Sequence, residues 1–445
     1  MINLAKSLGS LKPIKAMVLG DLLLDTYTFG KARRISPEAP VAILHVQEEK
    51  HLPGGAGNVV LNLISLGAEL CVVGRVGNDW AGQFLCESFQ QEGVAIQLIV
   101  SQEKYKTPVK NRVIADNQQI VRIDIEEIAS LSEHLEQQII DALPCLMDGI
   151  QVIALSDYGK GFLTPTLIQA VIQEANQRNI PVITDPKGHD FIKYAGTTLI
   201  KPNLSEAYAA ANLSLSKPLE QVAESILEMT QAKLLMVTRS DEGISLFEAG
   251  GKRHDFPVQA KNVIDVTGAG DTVLAMLTMA FANGLSYQEA CQLCNAAASL
   301  AIEQVGCARI TLTDIAQHLR LKSRLGQKVF QSEDLLALKK IVRTQTFNLL
   351  ILPPIEQLSI SLFEGIKRMS AQTETLLIYA INFSDIMLEM LASLKEVGGI
   401  LTDPDQLKLI SEQAKPLQIC TYQDASQRIE IVEDWEESQA LIQVR

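Results

Sequence analysis

The residues best suited to chemistry lie together in Ile264-Asp265-Val266-Thr267-Gly268-Ala269-Gly270-Asp271-Thr272. Gly268, Ala269 and Gly270 precede an apolar run, 273–280, that reads as a buried helix. Small residues at a helix N-terminus leave backbone N–H groups free, and with the positive end of the helix dipole these favour an anion. Asp271 sets a carboxylate beside that nest. An anion site next to a base is what transfer of a phosphoryl group to a hydroxyl requires. The same residues also read as a glycine-rich turn with Asp271 capping a helix, so the rest of the chain has to decide.

Polar residues recur where apolar runs end. Run 15–19 stops at Gly20-Asp21, with Asp25 four residues on. Run 151–155 gives way to Ser156-Asp157-Tyr158-Gly159-Lys160-Gly161, and run 181–184 to Asp185-Pro186-Lys187-Gly188. Run 198–200 leads into Lys201-Pro202-Asn203-Leu204-Ser205-Glu206, and run 234–237 into Thr238-Arg239-Ser240. Strands with polar residues at their carboxyl ends are the signature of an α/β fold whose doubly wound, mostly parallel sheet has one functional edge. Four such edges in succession from residue 150 favour an enzyme over a binding module. Pro53-Gly54-Gly55-Ala56-Gly57-Asn58 opens an apolar helix, 59–66. Glycines there let a ligand approach the backbone, and Asn58 can hydrogen-bond sugar hydroxyls.

Other elements are expected to cover that edge. Residues 33–40, with two arginines and two prolines, read as a flap before a strand at 41–46. Runs 109–114 and 119–123 alternate and read as a β-hairpin. Together these predict a small β lid from about 33–50 and 108–124, made basic by Lys110, Arg112 and Arg122. An ordinary edge hairpin with solvated charges is the other reading. The length of 445 residues predicts two domains, 1–325 and 331–445, divided in the more polar stretch 321–332. The second reads as a smaller α/β domain: helix 335–342, strand 348–352, helix 355–369, strand 375–381, and a helix near the end.

A composition of 47% hydrophobic and 5% aromatic residues suits an aliphatic α/β core. The formal net charge of −13 argues against a nucleic-acid or acidic-membrane partner, though a local basic pocket could still take an anionic small molecule. No uncharged apolar run of about 18 residues predicts a membrane span. The first ten residues lack a leader-like pattern, and the seven cysteines are scattered, so a cytoplasmic protein is expected. Cys291 and Cys294 have C-x-x-C spacing but fall in a helical pattern without a second pair, which predicts packing rather than a metal site.

Gly20-Asp21, the Gly54–Asn58 loop, Asn203-Leu204-Ser205-Glu206, Val237-Thr238-Arg239 and Thr267-Gly268-Ala269-Gly270-Asp271 together resemble the ribokinase-like (PfkB) carbohydrate kinases. A narrower set resembles the kinase half of bifunctional ADP-heptose synthases. It comprises Arg34-Ile35-Ser36-Pro37-Glu38-Ala39-Pro40, Asn117-Gln118-Gln119 with Arg122, Leu155-Ser156-Asp157-Tyr158 and Asp185-Pro186-Lys187-Gly188. The resemblance implies a ribokinase-like fold and Mg·ATP-dependent phosphorylation of D-glycero-β-D-manno-heptose 7-phosphate at its anomeric oxygen, on the way to lipopolysaccharide core. It makes Asp271 the base and the backbone of Gly268, Ala269 and Gly270 the anion hole. Asn203 and Glu206 correspond to a motif acting on Mg2+ and the nucleotide phosphates largely through water, and Arg239 to a residue near those phosphates. Asp21 and Asn58, with Gly55 of the same loop, correspond to positions holding sugar hydroxyls. Asp265 and Thr267 resemble a monovalent-cation loop, implying K+. For the 7-phosphate the sequence offers Arg34, Arg112 and Lys187 without choosing among them. The family's flap sheet often pairs between subunits, which implies a homodimer. In the second domain the H-x-G-H motif of that family's nucleotidyltransferase half is missing: Pro353-Pro354-Ile355 follows the first strand, and the last of six histidines is His318.

Overall fold

The computed structural model describes residues 4–432 apart from 117, 259–262, 305, 323–327, 331–333, 356, 381, 424, 425 and 427. The chain forms two compact units. One spans Leu11–Thr311, and the other joins the N-terminal residues through Ser10 to the chain from Leu312 onward. The division therefore falls ahead of the polar stretch 321–332. The helix Leu312–Lys322 accounts for this, since it packs against the helices Leu4–Gly9 and Leu335–Thr344 and buries Ile315 completely.

The larger unit contains thirteen described strands. They are β1 (Lys15–Gly20), β2 (Leu22–Ile35), β3 (Ala42–Gly55), β4 (Glu69–Gly77), β5 (Ala95–Gln102), β6 (Val109–Ala115) and β7 (Gln118–Ile125). The remainder are β8 (Val152–Ser156), β9 (Val182–Asp185), β10 (Leu199–Ile200), β11 (Leu234–Thr238), β12 (Ile244–Glu248) and β13 (Arg253–Phe256). Nine of them form one sheet in the order β13-β12-β11-β10-β9-β8-β1-β4-β5. All neighbours are parallel except the terminal hairpin β11-β12-β13. Helices cover the sheet, so β1 and β8 are apolar almost throughout instead of alternating. Helix Ala269–Ala282 is buried from Asp271 through Ala280, as its continuous apolar run requires. Strand order reverses between β1 and β8, and a crevice outside the carboxyl ends at such a reversal is where open α/β sheets bind ligands. Here those ends are Gly20-Asp21 and Ser156-Asp157.

A second, four-stranded sheet has the order β3-β2-β6-β7. It takes in most of the segments 33–50 and 108–124 and extends beyond them. Residues 33–35 finish a fourteen-residue strand instead of lying in a flap, and β3 continues to Gly55, well past 46. The expected loop helix starts at Ala56, because β3 runs directly into it. Every residue of β7 is exposed, including Ile120, Val121, Ile123 and Ile125. Asn117, in the turn of this hairpin, lies outside the described residues.

The smaller unit carries a six-stranded sheet in the order Val329–Phe330, Gly399–Leu401, Thr375–Ala380, Phe347–Leu352, Ile419–Gln423, Arg428–Val432. Only the last strand is antiparallel. Its reversal lies between Phe347–Leu352 and Ile419–Gln423, whose carboxyl ends bring Pro353 and Pro354 near a Tyr422–Ser359 hydroxyl pair 2.9 Å apart. The helix expected at 355–369 begins at Ile360, where the Ser359 hydroxyl accepts from the Leu362 amide and caps it. Residue 381 and the expected terminal helix lie outside the described residues.

Candidate active site

Asp271 is 2% exposed, in the first turn of its helix. Asn58 Nδ2 donates to its Oδ2 at 2.9 Å, and Tyr158 Oη donates to its Oδ1 at 2.7 Å. Burial pushes the carboxyl up from 3.8 to about 7, against lowering by these two donors and by the charge of Lys201. That is the range in which a general base works best at neutral pH. Asn58 is itself held: Asn62 Nδ2 donates to its carbonyl and side-chain oxygens, while Asn62 Oδ1 accepts from the Ile310 amide. The Asp271 carboxylate is thus held from both sides by groups that favour its charged form and fix its direction.

Gly268 caps the helix at φ 78°, a left-handed conformation. A Cβ there would stand 2.6 Å from Asn58 Nδ2, so glycine is needed both for the turn and for the approach of the asparagine. The Ala269 amide turns back to the Val266 carbonyl at 3.3 Å, leaving the amides of Gly268 and Gly270 without an acceptor among the described residues. Of the three amides expected to bind an anion, two are therefore free.

A cavity of about 670 Å³ opens on the other side of this turn. Its lining combines charged and polar side chains, Asp185, Lys187, Lys201, Asn203 and Glu206 among them, with apolar ones, Val263, Val266, Val273, Ala298 and Ile302. Apolar walls for a flat base and charged groups for a phosphate chain would match that mixture. Lys201 is 3% exposed on its side chain and pairs with Asp185 at 2.9 Å. Burial nevertheless raises the Asp185 carboxyl, outweighing the lysine. Lys201 Nζ lies 3.8 Å from where a Cβ on Gly270 would be, so a cation and a free amide converge.

Asn203 and Glu206 line this cavity while closing a capping box on helix Leu204–Ala210: each side chain accepts from the other's backbone amide. The second Glu206 oxygen pairs with Lys187 at 2.6 Å, at the cavity. Among the described residues no three acidic, histidine or cysteine side chains converge as a metal cage. Oxygen donors of Glu206 and Asp185 suit a hydrated Mg2+, an ion that keeps several waters when few carboxylates hold it. Arg239 is absent from the cavity lining and pairs instead with Glu242 at 2.5 Å and Asp255 at 3.5 Å. Asp265 accepts from the Thr267 amide and hydroxyl and from the Gly306 amide, which shapes the loop leading to Gly268.

Asp21, expected at the sugar, is 2% exposed and accepts from the amides of Tyr158, Lys160 and Phe162. Its oxygens fix the strand-end loop that carries Tyr158. Gly55, at φ 57°, backs onto the same point: a Cβ there would meet the Asp21 carbonyl oxygen at 2.8 Å. The carboxylate on the four-stranded sheet is Asp25, 3% exposed, which accepts from Arg112 at 2.5 Å and from the Cys307 thiol at 3.4 Å. Arg112 is thereby committed to Asp25, with its guanidinium over the Tyr27 ring. Arg34 sits exposed near the end of β2. Cys291 and Cys294 are free, buried thiols packed within helix Tyr287–Ala301.

Sequence reasoning passed over Tyr158, Asp185, Lys201 and Asp25 as site residues. Each lay in a polar strand end or beside one, so position flagged them; what each side chain faces depends on distant partners.

A family model described as pfkB family carbohydrate kinase matches residues 14–314. The bifunctional protein HldE of Geobacter sulfurreducens is 44% identical over 326 residues, which are 73% of this chain and 66% of that protein. Its counterpart in Helicobacter hepaticus is 38% identical over 336 residues, 74% of this chain and 70% of that one. The chain thus spans about two thirds of the length of the curated relatives it matches, slightly less for the first. Among solved structures, Arabidopsis thaliana ribokinase complexed with ribose and ATP aligns with a TM-score of 0.55 at 21% identity, covering 69% of this chain and 99% of that one. Phosphofructokinase-2 from Escherichia coli in complex with potassium aligns at 0.58 and 21% identity, covering 70% and 99%.

Proposed function

The chain belongs to the pfkB family of carbohydrate kinases, and on that premise we propose that residues 11–311 transfer the γ-phosphoryl group of ATP to the anomeric hydroxyl of D-glycero-β-D-manno-heptose 7-phosphate. The product is the 1,7-bisphosphate, a precursor for ADP-heptose and lipopolysaccharide core. The likeness to bifunctional HldE proteins supports the heptose, and a cavity lined by both apolar and charged side chains supports the nucleotide. One observation carries the mechanism: a buried carboxylate titrating near 7 stands beside free helix-start amides and the Lys201 ammonium.

Asp271 takes the proton as the sugar oxygen attacks the γ-phosphorus. The new O–P bond forms, the bond to the bridging oxygen breaks, and ADP leaves. Asn58 and Tyr158 hold the carboxylate in line and keep it ionised long enough to accept the proton. The Gly268 and Gly270 amides, with Lys201, face the charge that builds on the transferring group, where fixed donors in a water-poor site are most effective. Glu206 and Asp185 would hold Mg2+ through water. The ion would supply charge neutralisation on the nucleotide phosphates. A K+ ion beside Asp265 and Thr267 would share a carboxylate that already accepts three hydrogen bonds; that a structural relative was solved in complex with potassium is in keeping with such an ion.

We read the smaller unit as a nucleotidyltransferase-like domain without its catalytic motif, since prolines and a Tyr422–Ser359 pair stand at its strand reversal. We also propose a cytoplasmic homodimer joined through the lid. An edge strand exposed on both faces with four branched apolar residues invites a partner strand. No described helix is long and apolar enough to cross a membrane.

A coupled assay of ADP release across a panel of sugars and sugar phosphates tests the function. Mg2+-dependent turnover with the heptose 7-phosphate is expected. Turnover confined to another sugar would reassign the substrate, and none with any sugar would sink the reading.

A further inference from the structure

Three of the four residues flanking the lid's inner face are already accounted for by one another. Asp25 and Tyr27 alternate along β2, and Lys110 and Arg112 alternate along the paired β6. The Arg112 guanidinium touches both Asp25 and Tyr27, so the two stripes share one face. That face looks toward the base: Cys307 bonds Asp25 and stands 3.4 Å from where a Cβ on Gly268 would be, and Tyr27 packs on Gly306.

Lys110 is different. Its ammonium lies 6.0 Å from the centroid of the Tyr158 ring, the side chain whose hydroxyl reaches Asp271. It is half-buried and makes no hydrogen bond or ion pair among the described residues. Burial pushes its pKa down, while nearby Glu126 and Asp124 act in the opposite sense. Both acids are engaged elsewhere, Glu126 with Lys160 at 2.7 Å and Asp124 with Arg122 at 2.8 Å. A partly desolvated cation whose nearest acids already serve other cations is a cost that an incoming anion removes. On the same face the Tyr27 hydroxyl, on a residue 2% exposed, also lacks a hydrogen-bond partner among the described residues.

The other cations proposed from sequence do not compete. Arg112 is held by Asp25, Lys187 by Glu206 at the nucleotide cavity, and Arg34 is exposed near the strand's end. We therefore propose that Lys110 receives the phosphate already carried by the acceptor sugar, with the sugar lying along Tyr158 between Lys110 and Asp271. The acceptor class is then a sugar phosphate whose charged group lies at the end opposite the reacting hydroxyl. This deepens the proposed function and rests on it.

The test is Lys110→Met in the full chain, assayed with the heptose 7-phosphate and with the unphosphorylated heptose, alongside circular dichroism for the fold. Loss of one charged hydrogen-bonding partner predicts a rise in KM for the sugar phosphate of roughly ten- to a hundredfold. The KM for ATP and kcat/KM for the free heptose stay within about twofold of the parent, and Lys110→Arg recovers most of the loss. Calorimetric binding of the heptose 7-phosphate without ATP weakens by the same factor. An equal loss on both sugars, or an unchanged KM for the sugar phosphate, overturns the assignment of Lys110. Equal native turnover of phosphorylated and free heptose overturns it while leaving the kinase intact. Absence of native turnover with either removes the functional premise and the inference together.

Discussion

Asparagine in place of Asp271 separates what the buried carboxylate does for catalysis from what it costs the fold. The carboxyl titrates near 7 in the structure instead of at 3.8. Each pH unit of displacement is about 1.4 kcal/mol, so an ionised Asp271 costs the folded unit roughly 4 kcal/mol. A folded pKa above the unfolded one means that this stability is complete below pH 3.8 and is lost as pH rises through 7. Asparagine never ionises, and it fits. Its amide oxygen can accept from Asn58 Nδ2 in place of the carboxylate, and its amide N–H can donate to Tyr158 Oη. The stability of Asp271→Asn relative to the parent should therefore climb by about 3 kcal/mol between pH 5 and pH 8, and then level off. Urea midpoints of the two proteins, measured without ligands at pH 5, 6, 7 and 8, read this difference directly, because every other group titrates in both. Over the same range kcat should fall by about a hundred- to ten-thousandfold. A stability difference independent of pH would mean that Asp271 does not titrate near 7. A kcat within tenfold of the parent would mean that it is not the base.

Tyr158→Phe removes one of two donors to the carboxylate, so the acid limb of kcat/KM, expected near pH 7, should move up by roughly one unit; an unmoved limb would exclude the tyrosine from setting the base. In Gly268→Ala the left-handed turn and the close Asn58 contact oppose the new methyl group, so a loss of about 1–3 kcal/mol in stability and most of kcat is expected from thermal melts and turnover. Chelation should abolish turnover without unfolding the protein, since no described side-chain cluster forms a structural metal cage, and added Mg2+ should restore it.

Much of the larger unit was legible because its chemistry sits where its strands end. The runs before Asp185, Lys201 and Thr238 are short and apolar on both faces, and such strands fit only a covered parallel sheet. Strand β2 was harder. Its first half is buried at every position without alternating, and Arg33-Arg34 at its end resembles a loop. The middle of β3, with Glu48, Glu49 and Lys50, likewise hides a strand among charges, since both of its faces there meet solvent. At the site, glycine spacing located Asp271, but nothing local distinguished Asp21 from Asp25. One accepts three amides of a loop more than 130 residues on, and the other meets an arginine from β6. Lys187 looked like a phosphate ligand because its partner, Glu206, lies 19 positions away in a motif that already had a role.

The lock on Asp271 spans 213 positions to Asn58 and 113 to Tyr158. Contacts of such sequence separation close late, after the entropy of long loops has been overcome. Until then Asp271 is an ordinary exposed carboxylate, ionised at neutral pH and aimed nowhere. The chain therefore cannot acquire a weak form of its activity while partly assembled. Its proton affinity, its direction and the surrounding dryness arrive together with the last long-range contacts. Recovery of turnover during refolding should accordingly lag the return of helical signal, and would serve as a clock for the closing of the sheet.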